Sequence, residues 1–360
     1  MNILTSIHRS MPAFRQSIRP FLLKGLFLIL WCLGGAPVSA QQTASQLRET
    51  AMAYQRQGDY ANAVIVLNRA IEQAPGSMEL QTDLAYVYYL QRDFGKAIDV
   101  VKPLTERDDA EIRTFQIAGN VYRAIAEINT CERMYRKALK KYPDSGPLNA
   151  EYGEMLLSRK DGAAAVAQWE KGIQLDPSFP ANYYHAARYY FSNGEMLRSL
   201  IYGEIFLNMD TYSGRAAEVK ELLLEAYKNF YANPTGPRLT NLRKRTPFEE
   251  AYKSALLAQA PIASMGIDVN RLIMIRTRFV LEWFNVAGVT YPHRLIEQQR
   301  QLLREGLFEA YNQWLFGAVS NAVEYQMWAG THSEDIAAFS RFQQNRVFRM
   351  PAGQYYGAVE

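Results

Sequence analysis

Pro75, Asp109, Pro143, Pro177 and Thr211 stand 34 residues apart in an unbroken series. A fixed period of this length means one small supersecondary unit copied in tandem. Such a unit cannot bury its apolar face alone and must stack on its neighbours. Counting back gives five units, 44–77, 78–111, 112–145, 146–179 and 180–213. Other columns keep the same phase. A small residue (Ala51, Ala85, Gly119, Gly153, Ala187) is followed three places on by Tyr54, Tyr88, Tyr122, Leu156 or Tyr190. Ala63, Ala97, Cys131, Ala165 and Ser199 form another column, and Ala70, Leu104, Ala138, Gly172 and Phe206 a third.

The chemistry of these columns describes two helices in close contact. The small residue lets the first helix approach the second, the large one fills the gap beside it, and the terminal proline stops the second helix because it has no N–H. With Gly58-Asp59-Tyr60 and Arg92-Asp93-Phe94 at the turn between helices, the pattern resembles the tetratricopeptide repeat family. The resemblance covers 44–213 and implies a helix-turn-helix solenoid of five units. It weakens in unit five, where Gly203 and Phe206 reverse the usual sizes and Thr211 replaces proline, so this unit reads as a transition.

The first 40 residues read as an address. Arg9, Arg15, Arg19 and Lys24 form a basic leader, Leu26 to Leu33 an apolar core, and Ala36-Pro37-Val38-Ser39-Ala40 a cleavage region. The core is shorter than the roughly 20 residues that span a bilayer, so the expectation is a signal peptide cleaved near Ala40. The protein would then be periplasmic or secreted, with no transmembrane segment left after cleavage. Leu30-Trp31 ahead of Cys32 lacks the small residue of a lipid-attachment site. The chain has 40 basic and 36 acidic residues. The leader holds four of the basic ones and no acid, so the remainder is formally neutral, which argues against nucleic acid as a partner. Beyond the leader Cys131 is the sole cysteine, so no internal disulfide is expected, and its column makes it a buried stand-in for alanine.

After unit five the period stops while helical spacing continues. Ala216, Val219, Leu222, Leu223, Ala226, Tyr227 and Phe230 predict a capping helix over 214–233. Asn233-Pro234-Thr235-Gly236-Pro237 breaks it, and 234–246 reads as a linker, with Arg243-Lys244-Arg245 a solvated basic stretch. A second all-helical region is expected over 247–345, with helices near 247–260, 268–286, 292–305, 307–328 and 333–345. Thr246 with Glu249, and Thr331 with Glu334, have the spacing of capping boxes. Phe308, Tyr311, Trp314 and Leu315 share a helical face, which predicts a buried seam, and 346–360 reads as loop or tail. The fold expected is all-α throughout.

The resemblance also implies a binding face. In the family, positions two, five, nine and twelve of each unit line a concave groove. Carried over, they give Arg48, Met52 and Gln55; Thr82, Tyr86 and Tyr89; Arg113, Gln116, Asn120 and Arg123; Glu154 and Leu157; and Tyr184, Arg188 and Phe191. Arginine and tyrosine offer planar hydrogen bonding and large contact area, the usual composition of interface hot spots. The competing reading is tyrosines packed between helices and arginines paired with acids such as Glu79 and Glu154. Chaperone-binding members of the family place Lys and Asn at positions five and nine of their first unit; Arg48 and Met52 depart from that pattern.

The three histidines beyond the leader, His185, His293 and His332, have no partner at metal-ligand spacing, and no phosphate loop or nucleophile elbow is present. No cofactor is expected. The reading is an exported, non-enzymatic scaffold for a protein or peptide partner. Two alternatives are a helical enzyme or ligand-binding module in the C-terminal region, near Trp283, Trp314 or His293, and a structural subunit of a cell-envelope assembly.

Overall fold

A computed structural model describes residues 42–234 and 244–357. The proposed leader and most of the expected linker fall outside those residues. Ten helices form five antiparallel pairs: α1 (Ala44–Arg56) with α2 (Tyr60–Gln73), α3 (Met78–Leu90) with α4 (Phe94–Leu104), α5 (Ile112–Ala124) with α6 (Ile128–Lys141), α7 (Gly146–Ser158) with α8 (Gly162–Leu175), and α9 (Pro180–Ser192) with α10 (Met196–Met209). No strand occurs among the described residues.

Each pair is made by local chemistry that repeats with the period. The turn residue at position fifteen has positive φ in all five units: Gly58, Arg92, Ala126, Lys160 and Gly194. Asp59, Asp93 and Asp161 follow as N-caps, each accepting from the backbone N–H three residues on. The small columns are buried, with Ala85, Ala97, Cys131, Ala165, Ala187 and Ser199 all at 0 % exposure. Two pairs show why glycine is needed in the first helix. A Cβ on Gly119 would lie 1.8 Å from the Tyr135 hydroxyl, and one on Gly153 would lie 2.2 Å from Trp169 Nε1. Where the second helix carries a large ring at that level, the first gives up its side chain.

Successive first helices touch, α3 with α5, α5 with α7 and α7 with α9, whereas successive second helices make no comparable contact. The stack therefore curves with its first helices on the inner, concave side. Helix α11 (Ala216–Ala232) continues that row against α9 and α10.

The remaining elements are α12 (Pro247–Leu257), α13 (Ala260–Ala263), α14 (Val269–Val286), α15 (Arg294–Arg304), α16 (Phe308–Asn312), a π-helical turn (Gln313–Gly317), α17 (Ala318–Ser320), α18 (Ala322–Thr331) and α19 (Ser333–Gln344). They pack onto the last repeat and share its core, apart from a small cluster of Ile262, Ala263 and Ile275. One apolar cluster runs from Met78 to Met350, and a smaller one, from Leu47 to Val87, closes the N-terminal end. Helix α10 is buried on nearly every side, from Leu197 through Leu207, because α12 and the helices beyond it cover what would be its solvent face. Unit five departs from the repeat pattern for that reason: Gly203 receives α11, since a Cβ there would meet Leu223 at 2.9 Å.

Buried charges fasten this junction. Glu204 on α10 accepts from Arg276 (Nη1 to Oε2, 3.0 Å), Gln299 (2.7 Å) and the Tyr311 hydroxyl (2.6 Å). Arg198 pairs with Glu249 at 2.9 Å and Arg245 with Glu195 at 2.9 Å. Arg245 is therefore not a solvated linker residue: its side chain is only 13 % exposed.

Several expected boundaries change. The helix expected over 307–328 is interrupted by the π turn and by Asn321, whose extended backbone (φ −157°, ψ 104°) restarts the chain as α18 while its side chain caps Val323 and Glu324. The helix expected over 247–260 ends at Leu257. Thr246 and Glu249 form a reciprocal capping box, but Thr331 does not cap Glu334. Thr331 ends α18 and bonds back to the Trp328 carbonyl, 3.0 Å away, leaving His332 at the start of α19. The final residues lack helix yet are packed: Phe348 and Met350 are buried, Tyr356 stacks on Phe248 with centroids 4.7 Å apart, and Gln354 accepts from the Arg294 N–H at 2.6 Å. Within the C-terminal seam Phe308, Tyr311, Leu315 and Phe316 are buried, while Trp314 is half-buried.

Candidate partner-binding groove

The concave row of first helices carries a ladder of charges that alternates in sign from helix to helix. On α1, Arg48 reaches Asp83 at 2.6 Å and Glu79 at 2.9 Å, both on α3. Arg113 on α5 takes the other oxygen of Asp83 at 2.5 Å. Arg123, near the end of α5, bridges to Glu151 and Glu154 on α7 at 3.1 Å each and donates to Asn120 at 2.6 Å. Glu154 also lies 3.4 Å from His185 Nε2 on α9. At the far end Arg188 pairs with Glu218 of α11 at 2.7 Å, and the Tyr184 hydroxyl donates to the same carboxylate at 2.8 Å.

The structure brings the sequence-derived groove residues onto this face in three clusters. Arg48 and Arg113 share Asp83; Asn120 and Arg123 share the α7 acids; Tyr184 and Arg188 share Glu218. Tyr86 and Tyr89 stack one turn apart on α3, with centroids 6.3 Å apart and planes within 14°. Gln55 and Phe191 are half-buried, the latter against the main core. Tyr184 is 6 % exposed, its ring flanked by the guanidinium groups of Arg188 at 5.2 Å and Arg215 at 4.7 Å. Thr82 is buried and its hydroxyl meets that of Thr114 at 3.1 Å, so it belongs to the helix packing and not to the groove surface. The packing and groove readings thus divide by residue. Arg113 and Arg188 keep side-chain exposures of 42 % and 50 %, while Tyr184 is built into the wall.

Positions two, five, nine and twelve miss Asp83 and Glu151, which pair with these arginines, and His185, which lies against Glu154; all three occupy position six, so the period itself contains the signal. Burial raises the Glu151 carboxyl above its usual range, with Arg123 pulling the other way. Burial lowers His185 to about 4, against the pull of Glu154, so the ring is neutral near pH 7 and lies beside Glu154 without forming a charged pair. Trp169 stacks on that ring at 5.2 Å. Cys131 sits behind the groove, wholly buried, with its thiol aimed at the Gly119 carbonyl and its pKa pushed up to about 12 by burial, which leaves it inert as a nucleophile.

Nothing in this face has the makings of a metal centre: the described residues contain no group of three or more His, Cys, Asp or Glu side chains able to hold an ion. What the arrangement can do is present guanidinium and carboxylate groups, fixed in orientation by their neighbours, along a curved surface.

Residues 54–116 match the family model described as tetratricopeptide repeat, and the chain therefore carries a tetratricopeptide-repeat segment. No curated protein matches the sequence. Among solved structures, a thermophilic tetratricopeptide-repeat protein of Thermus thermophilus is similar at 16 % identity, covering 51 % of this chain and 98 % of that one, with a TM-score of 0.43. A tetratricopeptide-repeat protein of Parabacteroides merdae shares 13 % identity over 72 % of this chain and 98 % of its own, with a TM-score of 0.40. YrrB, described as having an unusual peptide-binding site, shares 14 % identity over 51 % and 92 %, with a TM-score of 0.36.

Proposed function

We propose that this protein is an exported scaffold that docks an extended or helical segment of a partner protein along its concave face, without a catalytic step. The observation that carries the reading is the ladder of paired charges. Each groove arginine is held by a neighbouring helix, so its rotamer entropy is already spent before a partner arrives. Arg113 and Arg188 retain exposed donor groups, and the Tyr86–Tyr89 pair on α3 supplies planar apolar area. A surface of this kind recognises backbone carbonyls and carboxylates of a segment laid across several helices. Export rests on the leader Arg9 to Lys24 and the small residues before Gln41, and N-terminal sequencing of the protein from its native cell tests it directly.

The docking test is affinity capture from envelope extracts with wild type and a Tyr86→Ala, Tyr89→Ala, Arg113→Ala, Arg188→Ala variant. The groove reading expects a dominant partner whose recovery falls at least about tenfold in the variant, the loss of roughly one hot-spot contact. Equal recovery from both would remove the groove assignment.

The envelope-subunit reading has one observation in its favour. Helix α18 has no buried residue and exposes Val323 at 66 % and Met327 at 71 % on one side. Sedimentation showing a stable oligomer dissolved by Met327→Glu would support it.

A further inference from the structure

The clearest break in the repeat pattern lies where unit five ends. Position 32, proline in three earlier units, is Thr211, and the turn around it reads Asn208-Met209-Asp210-Thr211-Tyr212-Ser213. In place of a proline stop, the Thr211 hydroxyl donates to the Leu207 carbonyl at 3.1 Å and the segment stays rich in amide and hydroxyl groups. Facing this turn across the junction, α19 ends in Gln343 and Gln344 before the chain runs through Arg346 to the buried Phe348.

Between the two lies a cleft of about 510 Å³, within the range of small-molecule sites, roughly 300–1,000 Å³. Its base is preorganised. Gln298 donates to the Asn208 side-chain oxygen at 2.6 Å, Asn208 donates to the Tyr311 hydroxyl at 2.9 Å, and Tyr311 donates to buried Glu204. The two amides are therefore oriented by a network anchored on the Glu204–Arg276 pair. One wall is the stacked pair Phe339 and Phe342, and Tyr212 stands at the rim with 79 % of its surface exposed. Ser213 Oγ is buried without a hydrogen-bond partner, and among the described residues the Asp210 carboxylate forms no ion pair.

The balance of groups selects the ligand. Asp210 and Arg346 are the charged residues lining the cleft, and Arg346 is shared with Glu305 at 3.6 Å. A phosphate or nucleotide needs an excess of cationic donors, which this lining lacks. A lipid chain needs a continuous apolar wall, which the amides and hydroxyls interrupt. A sugar ring matches both halves: its hydroxyls pair with planar amides and a carboxylate, and its C–H face lies on an aromatic ring. We propose that this cleft binds a neutral oligosaccharide, a function separate from the groove.

The test uses the full chain with an array of neutral oligosaccharides of β-1,4-glucose, β-1,4-N-acetylglucosamine and α-1,4-glucose, followed by calorimetry on whatever binds. The expectation is binding to at least one series, weakened roughly tenfold or more by Tyr212→Ala and by Asp210→Asn, each the loss of about one good contact. Tyr212 is exposed, Asp210 is partly buried without an ion pair among the described residues, and Asp210→Asn is isosteric, so thermal melts of the variants should match wild type; the groove variant Arg188→Ala should bind as wild type does. Failure to bind any of the three series overturns the proposal. So does binding that is indifferent to both cleft variants or that is lost in Arg188→Ala.

Discussion

Position fifteen of each repeat is where backbone and side chain disagree. Arg92, Ala126 and Lys160 hold φ near +60° although their Cβ atoms disfavour it, while Gly58 and Gly194 adopt it without strain. Ala126 is exposed, so little apolar burial is lost on removing its methyl. Ala126→Gly should raise stability by roughly 1 kcal/mol in chemical denaturation; an unchanged or lower midpoint would show the turn is held some other way. The reverse case is Gly153, where an alanine Cβ must displace the buried Trp169 that donates to the Ala150 carbonyl at 3.1 Å. Gly153→Ala should cost about 1–3 kcal/mol by the same measurement. His293 gives a pH signature. Burial lowers its pKa from 6.5 to about 3, so the folded state binds fewer protons than the unfolded one between those values. Stability should then fall as pH drops below 6.5, by up to about 1.4 kcal/mol per pH unit from this group. His293→Phe, which keeps a ring against Phe248, should flatten that slope. At this scale the columns of small residues are legible in the sequence, because helix contact admits few alternatives. The ion-pair partners Asp83 and Glu151 are less so, since only the folded stack shows which side of a first helix meets the next unit.

At the scale of elements, α10 and α11 explain where the repeat ends. Helix α10 is buried on nearly every side, so its sequence carries little amphipathic contrast, whereas α11 keeps an exposed stripe through Glu218, Glu221, Glu225 and Lys228. The apolar spacing of α11 reads as a cap; in the fold that apolar side packs on α9 and α10 and also receives the π turn and α17. Breaks such as Asn321 escape a sequence reading because apolar spacing continues across them, and the packed 346–357 segment escapes because irregular backbone carries no period. The Glu204–Arg276 pair, 2 % exposed on both sides, fixes α14 to α10. Arg276→Met should destabilise by about 3–5 kcal/mol, because it leaves a buried carboxylate without its counter-ion, and Glu204→Gln in the same chain should recover part of that loss. Equal midpoints for the single and double variants would mean that the charge itself is not the source of the cost.

Taken whole, the molecule is a curved stack whose last repeat is sheathed by the C-terminal helices, with one apolar cluster running from Met78 to Met350. Its all-helical class and tandem architecture can be read from a 34-residue register. The sheath cannot, since nothing in a helix's own sequence names the surface it covers. Two candidate faces follow, the charge ladder on the first helices and the neutral cleft at the end of unit five. No helix among the described residues is long and apolar enough to cross a membrane. Docking on the first face can be probed by site-specific photocrosslinking in the native cell. A photoreactive residue would be placed at Tyr86 or Arg188 on the concave side, and at Ile65 or Lys137, exposed on second helices. A partner seated in the concave groove gives one discrete protein adduct from Tyr86 and Arg188, with none from Ile65 or Lys137; adducts arising equally from both sides, or only from the second helices, would rule groove docking out.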